Sequence, residues 1–277
     1  MHKVKIPKRG KGYRTVYVPS KKEKPRLRKI AKALGYISKH HCDSSVVHGF
    51  MKGRSPITNA VVHIGYEHTL SMDLKDFFDT CTRDKYDHPM LADIKLTPKT
   101  YRYVIVDGAA RQGLPTSPAM SNIAAIPMDA ALSELCNESG ERAVYTRYAD
   151  DLTFSSNSEQ VIHNLRKQVP QIVESLGFEV NKRKTKHMRA KAGRRHITGV
   201  AVGDRNIYPT RKFRRRFRAV THQIIKGSGS TGKLMNQVYV GMEGWLECCR
   251  PAMTKTETPG EVPDFIESHQ YNQRYFG

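Results

Sequence analysis

Two adjacent aspartates, Asp150 and Asp151, lie between two apolar stretches at residues 143–146 and 152–154. The β-branched and aromatic residues of these stretches predict two strands joined by a tight turn. Two carboxylates about 4 Å apart repel each other by about 4 kcal/mol at an effective dielectric constant of about 20. A cation must therefore balance the pair if the turn lies at the rim of a folded core.

A third carboxylate, Asp73, ends an apolar stretch at residues 68–73 that predicts another strand. Ligands that are all carboxylate oxygens suit Mg²⁺ or Mn²⁺. Taken alone, an Asp-Asp pair in a turn is more often only a solvated turn. The flanking apolar strands and the third aspartate favour a metal site.

The charge of the chain points to the kind of partner. It has 277 residues, with 47 Lys and Arg against 26 Asp and Glu, and a formal net charge of +21. Hydrophobic residues make up 38% of the chain, which allows a packed core and argues against a disordered cationic tail. Such a surplus attracts polyanions, so nucleic acid is the expected partner and anionic lipid the weaker alternative.

The sequence predicts neither export nor insertion into a membrane. Its basic first 12 residues are followed by no apolar stretch, and no run of about 18 apolar residues occurs. The five cysteines form no CxxC pair, which favours reduced thiols over disulfides or a zinc cluster. We therefore expect a cytoplasmic protein with no membrane partner.

Strand and helix patterns alternate along the chain and predict the α+β class. Strands are expected at residues 15–18, 68–73, 143–146 and 152–154. Helices are expected from residue 25, over 119–137 as one buried helix, over 158–177 with a kink at Pro170, and over the basic segment 211–218. Residues 227–232 predict a flexible linker, and residues 254–277 give no assignment.

Three segments, in this order, resemble the motifs of reverse transcriptases: residues 71–78 (SMDLKDFF), 112–118 (QGLPTSP) and 145–152 (YTRYADDL). Two more, 59–63 (NAVVH) and 197–199 (ITG), resemble motifs of the bacterial retron enzymes. The similarity runs from about residue 13 to residue 245. A group II intron-like reverse transcriptase is the alternative within this class, and a catalytically idle RNA-binding protein is the alternative outside it.

The resemblance implies a right-hand polymerase, in which helices back an antiparallel palm sheet. It assigns residues 1–66 to the fingers, 67–202 to the palm with an inserted fingers segment at about 85–112, and 203–277 to the thumb. Two features depart from the retron pattern. Only 13 residues precede the segment at 14–17, where these enzymes usually carry further helical sequence, and Ile197 replaces the usual valine.

The resemblance also implies which groups carry the chemistry. Asp73, Asp150 and Asp151 would hold two Mg²⁺ ions, or Mn²⁺, with the carbonyl of Leu74 as an additional ligand. Lys184 would protonate the leaving pyrophosphate, with Lys182 as the competing candidate.

Four residues resemble the nucleotide-binding groups of the family. Phe78 takes the place of the ring that excludes a ribose 2′-hydroxyl, although it could instead belong to the core. Gln112 and Gly113 resemble the segment that lines the nucleotide pocket, where glycine lets backbone and ligand approach closely. Arg14 resembles the fingers arginine that grips the triphosphate, or is one surface cation among many.

The remaining assignments concern RNA. Asn59 and His63 would contact the cognate RNA or support the palm, with a helix cap and a core histidine as the structural alternatives. A basic thumb helix would grip the RNA–DNA duplex through its phosphates. Its arginines are Arg211, Arg214, Arg215 and Arg218. Interleaved phenylalanines also suit a membrane surface or a solvated face, but nucleic acid is the preferred interpretation.

As a retron enzyme, the protein would copy a dedicated, structured noncoding RNA into DNA from dNTPs. Priming would use the 2′-hydroxyl of a guanosine within that RNA. The product would be multicopy single-stranded DNA, a branched RNA–DNA hybrid that serves antiphage defence together with a separate effector protein. These expectations rest on the family resemblance.

Overall fold

The computed structural model describes residues 1–8, 12–226 and 232–249. In chain order its strands are β1 (His2–Pro7), β2 (Tyr13–Val18), β3 (His68–Asp73), β4 (Ala143–Tyr148), β5 (Asp151–Ser156), β6 (Lys186–Arg189), β7 (Arg195–Ile197), β8 (Val200–Val202) and β9 (Ile207–Pro209). Its α-helices are α1 (Glu23–His41), α2 (Pro56–Val61), α3 (Phe77–Thr80), α4 (Pro98–Val104), α5 (Ser117–Ala124), α6 (Ile126–Asn137), α7 (Glu159–Ser175), α8 (Arg211–Ile225) and α9 (Gly232–Cys249). Most of the expected linker and all of residues 254–277 lie outside the described residues.

The described strands form three antiparallel sheets. The central sheet has the order β4-β5-β3-β6, β1 pairs with β2, and β7, β8 and β9 form a small third sheet. In the central sheet Asp73 lies opposite Asp151, which in turn pairs with Tyr148. The α+β class and the helix-backed antiparallel sheet are therefore as predicted.

Helices α6 and α7 pack against the central sheet and bury its apolar side chains. Helix α7 presents five buried residues at helical spacing: Val161, Ile162, Leu165, Val169 and Val173. Each buried aliphatic side chain of this size contributes about 1.5–3 kcal/mol. Ser158 caps the helix by accepting a hydrogen bond from the Val161 N–H at 3.5 Å, and Gly177 follows its end at φ +72°. The helix continues through Pro170, and the kink there stays a prediction.

The expectation of one helix over residues 119–137 is wrong. Two helices, α5 and α6, cover this stretch and meet at Ala125. Pro127 explains the break, because its ring would collide with the Ile123 carbonyl in a continuous helix and it has no N–H to donate. Near the start of α6 the same proline is well tolerated. Pro127 was the signal in the sequence for two helices.

Other expectations are met or extended. The hairpin of β4 and β5 forms as predicted, while β1 was not predicted and pairs with β2 along its whole length. The basic helix is longer than expected and reaches Ile225.

All five cysteines are buried free thiols. None of the helices in the described residues has the length and hydrophobicity needed to cross a bilayer.

Candidate active site

One end of the central sheet brings together the three predicted aspartates. Asp73 ends β3 and faces Asp151, the first residue of β5. The Leu74 N–H donates a hydrogen bond of 2.8 Å to the Asp150 carbonyl, which ties the turn to the chain that leaves β3. Asp73 is only 7% exposed. The two strands therefore hold carboxylates distant in sequence at one place.

Burial and repulsion disfavour the charged forms of two of these carboxylates. Burial raises the pKa of Asp150, and the charge of Asp73 adds to this. Burial raises the pKa of Asp151 to about 6, together with the charges of Asp150 and Asp73. A bound divalent cation would reverse these shifts, because it favours the ionised carboxylates. The all-oxygen donor set fits Mg²⁺ or Mn²⁺.

A lysine supplies a cation at Asp73. The Lys184 Nζ donates to Asp73 Oδ2 at 2.8 Å, and Asn181 Nδ2 donates to Asp73 Oδ1 at 3.4 Å. The hydrogen bond to Asp73 raises the pKa of Lys184. Of the two competing lysines, Lys184 is therefore the one that reaches the aspartates in this structure. Its ammonium group occupies a position that a metal cation could take on the same carboxylate.

A buried polar network lies directly behind the turn. The Arg147 side chain is completely buried, and its guanidinium forms a two-pronged pair with Asp129 of α6, with N–O distances of 2.8 and 2.6 Å. The same guanidinium donates to the Ala149 carbonyl at 3.2 Å and to Asn122 Oδ1 at 3.0 Å. The Tyr145 hydroxyl donates to Asp129 at 2.9 Å. Since Ala149 has φ +57°, the network holds a turn whose backbone is strained.

The segment before α2 supports the turn from another side. The His48 N–H donates to the Arg147 carbonyl at 2.8 Å, and Asn122 Nδ2 donates to the Gly49 carbonyl at 2.9 Å. A Cβ on Gly49 would lie 2.2 Å from the Ala149 nitrogen, so only glycine fits there. Sequence reasoning missed this network, although an arginine inside an apolar strand was a signal that a buried acid would face it.

The two phenylalanines after β3 have different environments. Phe77 is buried in the main core, whereas Phe78 is only half-buried. The Phe78 ring lies 5.9 Å from the ring of Phe50, measured between centroids, and 6.1 Å from that of Phe77. Phe78 is thus the partly exposed ring of the pair, as a nucleotide-binding role requires.

Gln112 and Gly113 contact the N-terminal hairpin. The Tyr17 N–H donates to the Gln112 carbonyl at 2.8 Å. Gly113 has φ +103°, and a Cβ there would lie 2.5 Å from the Tyr17 carbonyl oxygen and from a methyl carbon of Val16. Glycine therefore permits a close approach to β2 at this position, and its place in the nucleotide pocket stays a prediction. Arg14 lies on the same strand with an exposed side chain.

Asn59 and His63 do not reach the surface. Both are 0% exposed. The two ring nitrogens of His63 are hydrogen-bonded to Ser155 Oγ at 2.9 Å and to Thr146 Oγ1 at 2.7 Å. Asn59 Nδ2 donates to Thr198 Oγ1 at 3.5 Å, so the two retron-like segments meet each other. The prediction that these side chains contact RNA is wrong. The alternative of a supporting role fits His63, which bonds to β4 and β5 of the central sheet, whereas Asn59 joins α2 to the turn between β7 and β8.

The basic helix α8 has two distinct faces. Its apolar face packs on α9, with ring centroids 6.2 Å apart for Phe213 and Trp245 and 5.3 Å apart for Phe217 and Tyr239. The opposite face carries exposed arginines, and four of them line an open groove of about 660 Å³ together with Phe217 and with Leu246 of α9. Those that line the groove are Arg211, Arg214, Arg215 and Arg218. Helix α9 therefore covers the two phenylalanines only in part, and Phe217 also lines the groove.

A second, larger groove was not predicted. It has a volume of about 1050 Å³ and adjoins Asp73 and Asp151. Its walls carry cationic side chains from β6 and its flanking loops: Arg183, Lys184, Lys186, Arg189 and Arg194. The run of basic residues between 182 and 195 was the available signal. Phosphate groups are the ligands that such a wall would attract next to the aspartates.

The fold is that of right-hand polymerases. Telomerase from Candida albicans matches it with a TM-score of 0.54 at 16% identity, over 76% of this chain and 45% of that one. A foamy viral protease-reverse transcriptase matches it with a TM-score of 0.51 at 14% identity, over 98% of this chain and 41% of that one. At such identities these matches describe the fold only.

The model of the family described as reverse transcriptase (RNA-dependent DNA polymerase) matches residues 6–217, so the chain belongs to this family. It is 34% identical over 239 residues to the retron Mx65 reverse transcriptase of Myxococcus xanthus, covering 79% of this chain and 54% of that protein. It is 28% identical over 234 residues to the retron Ec86 reverse transcriptase of Escherichia coli, covering 81% and 70%. The resemblance to retron reverse transcriptases is thus confirmed. The chain spans little more than half the length of its Myxococcus relatives.

Proposed function

We propose that the protein is an RNA-directed DNA polymerase of the retron type, which extends a primer on an RNA template from dNTPs. The observation that carries this proposal is the convergence of Asp73, Asp150 and Asp151 at one end of the central sheet. Three carboxylates held together, with Lys184 balancing one of them, have a use only if cations are bound there. An idle scaffold would gain stability by losing them.

The aspartates fit a pair of divalent ions, for which Mg²⁺ is the natural choice and Mn²⁺ a substitute. Asp73, Asp150 and Asp151 would be their ligands, with the Leu74 carbonyl as a further one. When bound, the ions would neutralise charge on the reacting phosphate and align the attacking and leaving oxygens. Lys184 would then be released from Asp73 and would give its proton to the leaving pyrophosphate.

Other residues would position the substrates. The Phe78 ring would lie against the sugar of the incoming nucleotide and exclude a 2′-hydroxyl. Arg14 would hold the triphosphate with its guanidinium, and Gln112 would line the nucleotide pocket. The basic groove beside Asp73 would guide phosphates towards the aspartates. The fingers would comprise residues 1–66, the palm residues 67–202 with the inserted fingers segment at about 85–112, and the thumb residues 203–277.

The arginine face of α8 would grip the backbone of the RNA–DNA duplex. The template would be a structured noncoding RNA that also supplies the priming 2′-hydroxyl. The product would be branched, multicopy single-stranded DNA, used with a separate effector protein in antiphage defence. Support for these retron-specific points comes from the similarity to the retron reverse transcriptases.

The decisive experiment is primer extension on an RNA template by the Asp150→Asn variant. We expect a loss of about a thousandfold or more, since one metal ligand loses its charge and the Mg²⁺ pair no longer forms. The affinity for RNA should stay within about twofold, because the phosphate contacts lie elsewhere. Asp87→Asn is a matched control, since Asp87 is exposed and pairs with Arg83 on a 3₁₀ turn. DNA synthesis by Asp150→Asn at the wild-type rate would refute the proposal.

The type of product is tested separately. DNA that copurifies with the wild-type protein is sequenced together with any RNA joined to it. A short, unique DNA attached through a 2′-linkage supports the retron assignment. Long or heterogeneous DNA on unrelated templates would instead favour a group II intron-like enzyme.

A further inference from the structure

Phe50 has two features that are unusual in the same residue. The residue is 46% exposed, and its backbone has φ +61°. A large side chain in the left-handed region is strained, and an exposed ring gains little from the hydrophobic effect. Folding alone gives no reason to have phenylalanine there. Strain of this kind persists where the surroundings impose it, and it is concentrated at functional sites.

The surroundings of Phe50 belong to the candidate active site. The preceding residue, Gly49, fits directly against the Ala149 nitrogen in the turn of the aspartates. Its carbonyl accepts a hydrogen bond from Asn122, which also accepts one from Arg147. Phe50 therefore directly follows a residue that contacts the aspartate turn. Buried groups fix the backbone at this point.

The ring of Phe50 also contacts the proposed sugar gate. Its centroid lies 5.9 Å from that of Phe78 at an interplanar angle of 37°, which is an ordinary geometry for interacting aromatic rings. Phe78 has Phe77 on another side, with 6.1 Å between centroids. Phe50 and Phe78 thus form a continuous aromatic surface next to the turn, and Phe50 remains exposed enough to meet a ligand.

We propose that Phe50 is a nucleotide-binding residue whose ring, together with Phe78, receives the deoxyribose of the incoming dNTP. The C2′ methylene of deoxyribose is apolar and gains from contact with such a surface. A ribose 2′-hydroxyl in the same position would lose its water without finding a hydrogen-bond partner. The inference rests on the proposed function, because it takes Phe78 as the residue that selects the sugar.

The test is steady-state extension by Phe50→Ala with dNTPs and with rNTPs. We expect the KM for dNTPs to rise about tenfold with kcat nearly unchanged, and the preference for deoxyribose to fall about fivefold or more. Phe50→Leu, which keeps apolar bulk, should lie between Phe50→Ala and the wild type. In the double variant with Phe78→Ala, the losses of sugar preference should be less than additive, because both rings form one surface.

A second substitution separates binding from folding. Phe50→Gly removes the ring and relieves the backbone, so its Tm should equal or exceed that of the wild type while the KM for dNTPs rises. A ring needed only for folding would lower the Tm. Tyr36→Ala is the matched control, since Tyr36 is a 67% exposed aromatic residue on α1. It should change neither the KM nor the sugar preference.

Two outcomes would overturn the proposal. One is a Phe50→Ala enzyme whose dNTP KM and sugar preference both match those of the wild type. The other is a defect that appears in the affinity for the RNA template and leaves the KM for dNTPs unchanged. Neither resembles failure of the proposed function, in which the wild-type protein itself would extend no primer.

Discussion

The aspartate turn and helix α8 both carry the charges that their proposed roles require, but they are built in opposite ways. Behind the turn, the completely buried Arg147 fixes the Ala149 carbonyl and pairs with Asp129. On α8, the four groove arginines are exposed, whereas Phe213 and Phe217 pack against α9 and Val220 is buried. One region is a desolvated network of fixed geometry, and the other is a charged surface.

This difference sets how each region should respond to substitution. Charges in a buried network interact at low dielectric and leave an unpaired partner when one is removed, so single changes have large effects. Charges on an exposed face act through phosphate neutralisation, which several residues share. The effects there should be small and similar from one residue to the next.

The largest effect is expected for Arg147→Met. It leaves the Asp129 carboxylate buried without its partner, which should lower the free energy of unfolding by about 3–5 kcal/mol in urea titrations. Adding Asp129→Leu should recover much of that stability, because the buried charge is then gone as well. Primer extension should stay low in the double variant, since nothing then holds the Ala149 carbonyl. A loss below about 1 kcal/mol for Arg147→Met would remove the contrast between the two regions.

The second largest effect is expected from acid, which should destabilise the buried region behind the aspartate turn. Burial lowers the pKa of His63 to about 3. Burial, together with the charge of Arg54, lowers the pKa of His48 to about 4. Because both values lie below the unfolded value of about 6.5, the unfolded chain binds protons first as the pH falls. The stability from these groups is complete above about pH 6.5 and is lost below it, by at most about 1.4 kcal/mol per pH unit for each group.

Urea titrations at pH 7.5 and pH 5.5 measure this dependence. His63→Asn should lower the pH dependence, because one titrating group is removed. His222→Asn on the exposed part of α8 is the control and should keep the wild-type dependence. If the free energy of unfolding of His63→Asn changes with pH as much as that of the wild type, the acid sensitivity arises from other groups.

The sequence allowed some of this architecture to be predicted, for a physical reason. Strand alternation and turn chemistry are local, so the β4–β5 hairpin and the position of Asp73 at a strand end could be inferred. The partners of Arg147 could not, because Asp129 is on a helix whose docking depends on the whole core. Asn59 and His63 show the same limit. Their spacing revealed a motif, but spacing does not indicate whether a side chain points into the core or towards a ligand.

The smallest effects are expected on α8. Arg214→Gln should weaken the binding of an RNA–DNA duplex by only about two- to fivefold and should reduce the slope of log affinity against log salt by about one. Replacing all four groove arginines by glutamine should reduce the slope by roughly the sum of the single changes, because exposed phosphate contacts are nearly independent.

The control for α8 is Arg142→Gln, next to the start of β4 and at the opposite end of the hairpin from the aspartate turn. It should leave the salt slope unchanged. A slope that no α8 arginine affects would mean that the duplex is gripped elsewhere, with the basic groove beside Asp73 as the next candidate. Conversely, a single arginine whose loss abolished binding would show that α8 contains a fixed contact like those behind the turn. Either result would contradict the contrast between the two regions, in which the aspartate turn depends on fixed contacts and α8 acts through shared surface charge.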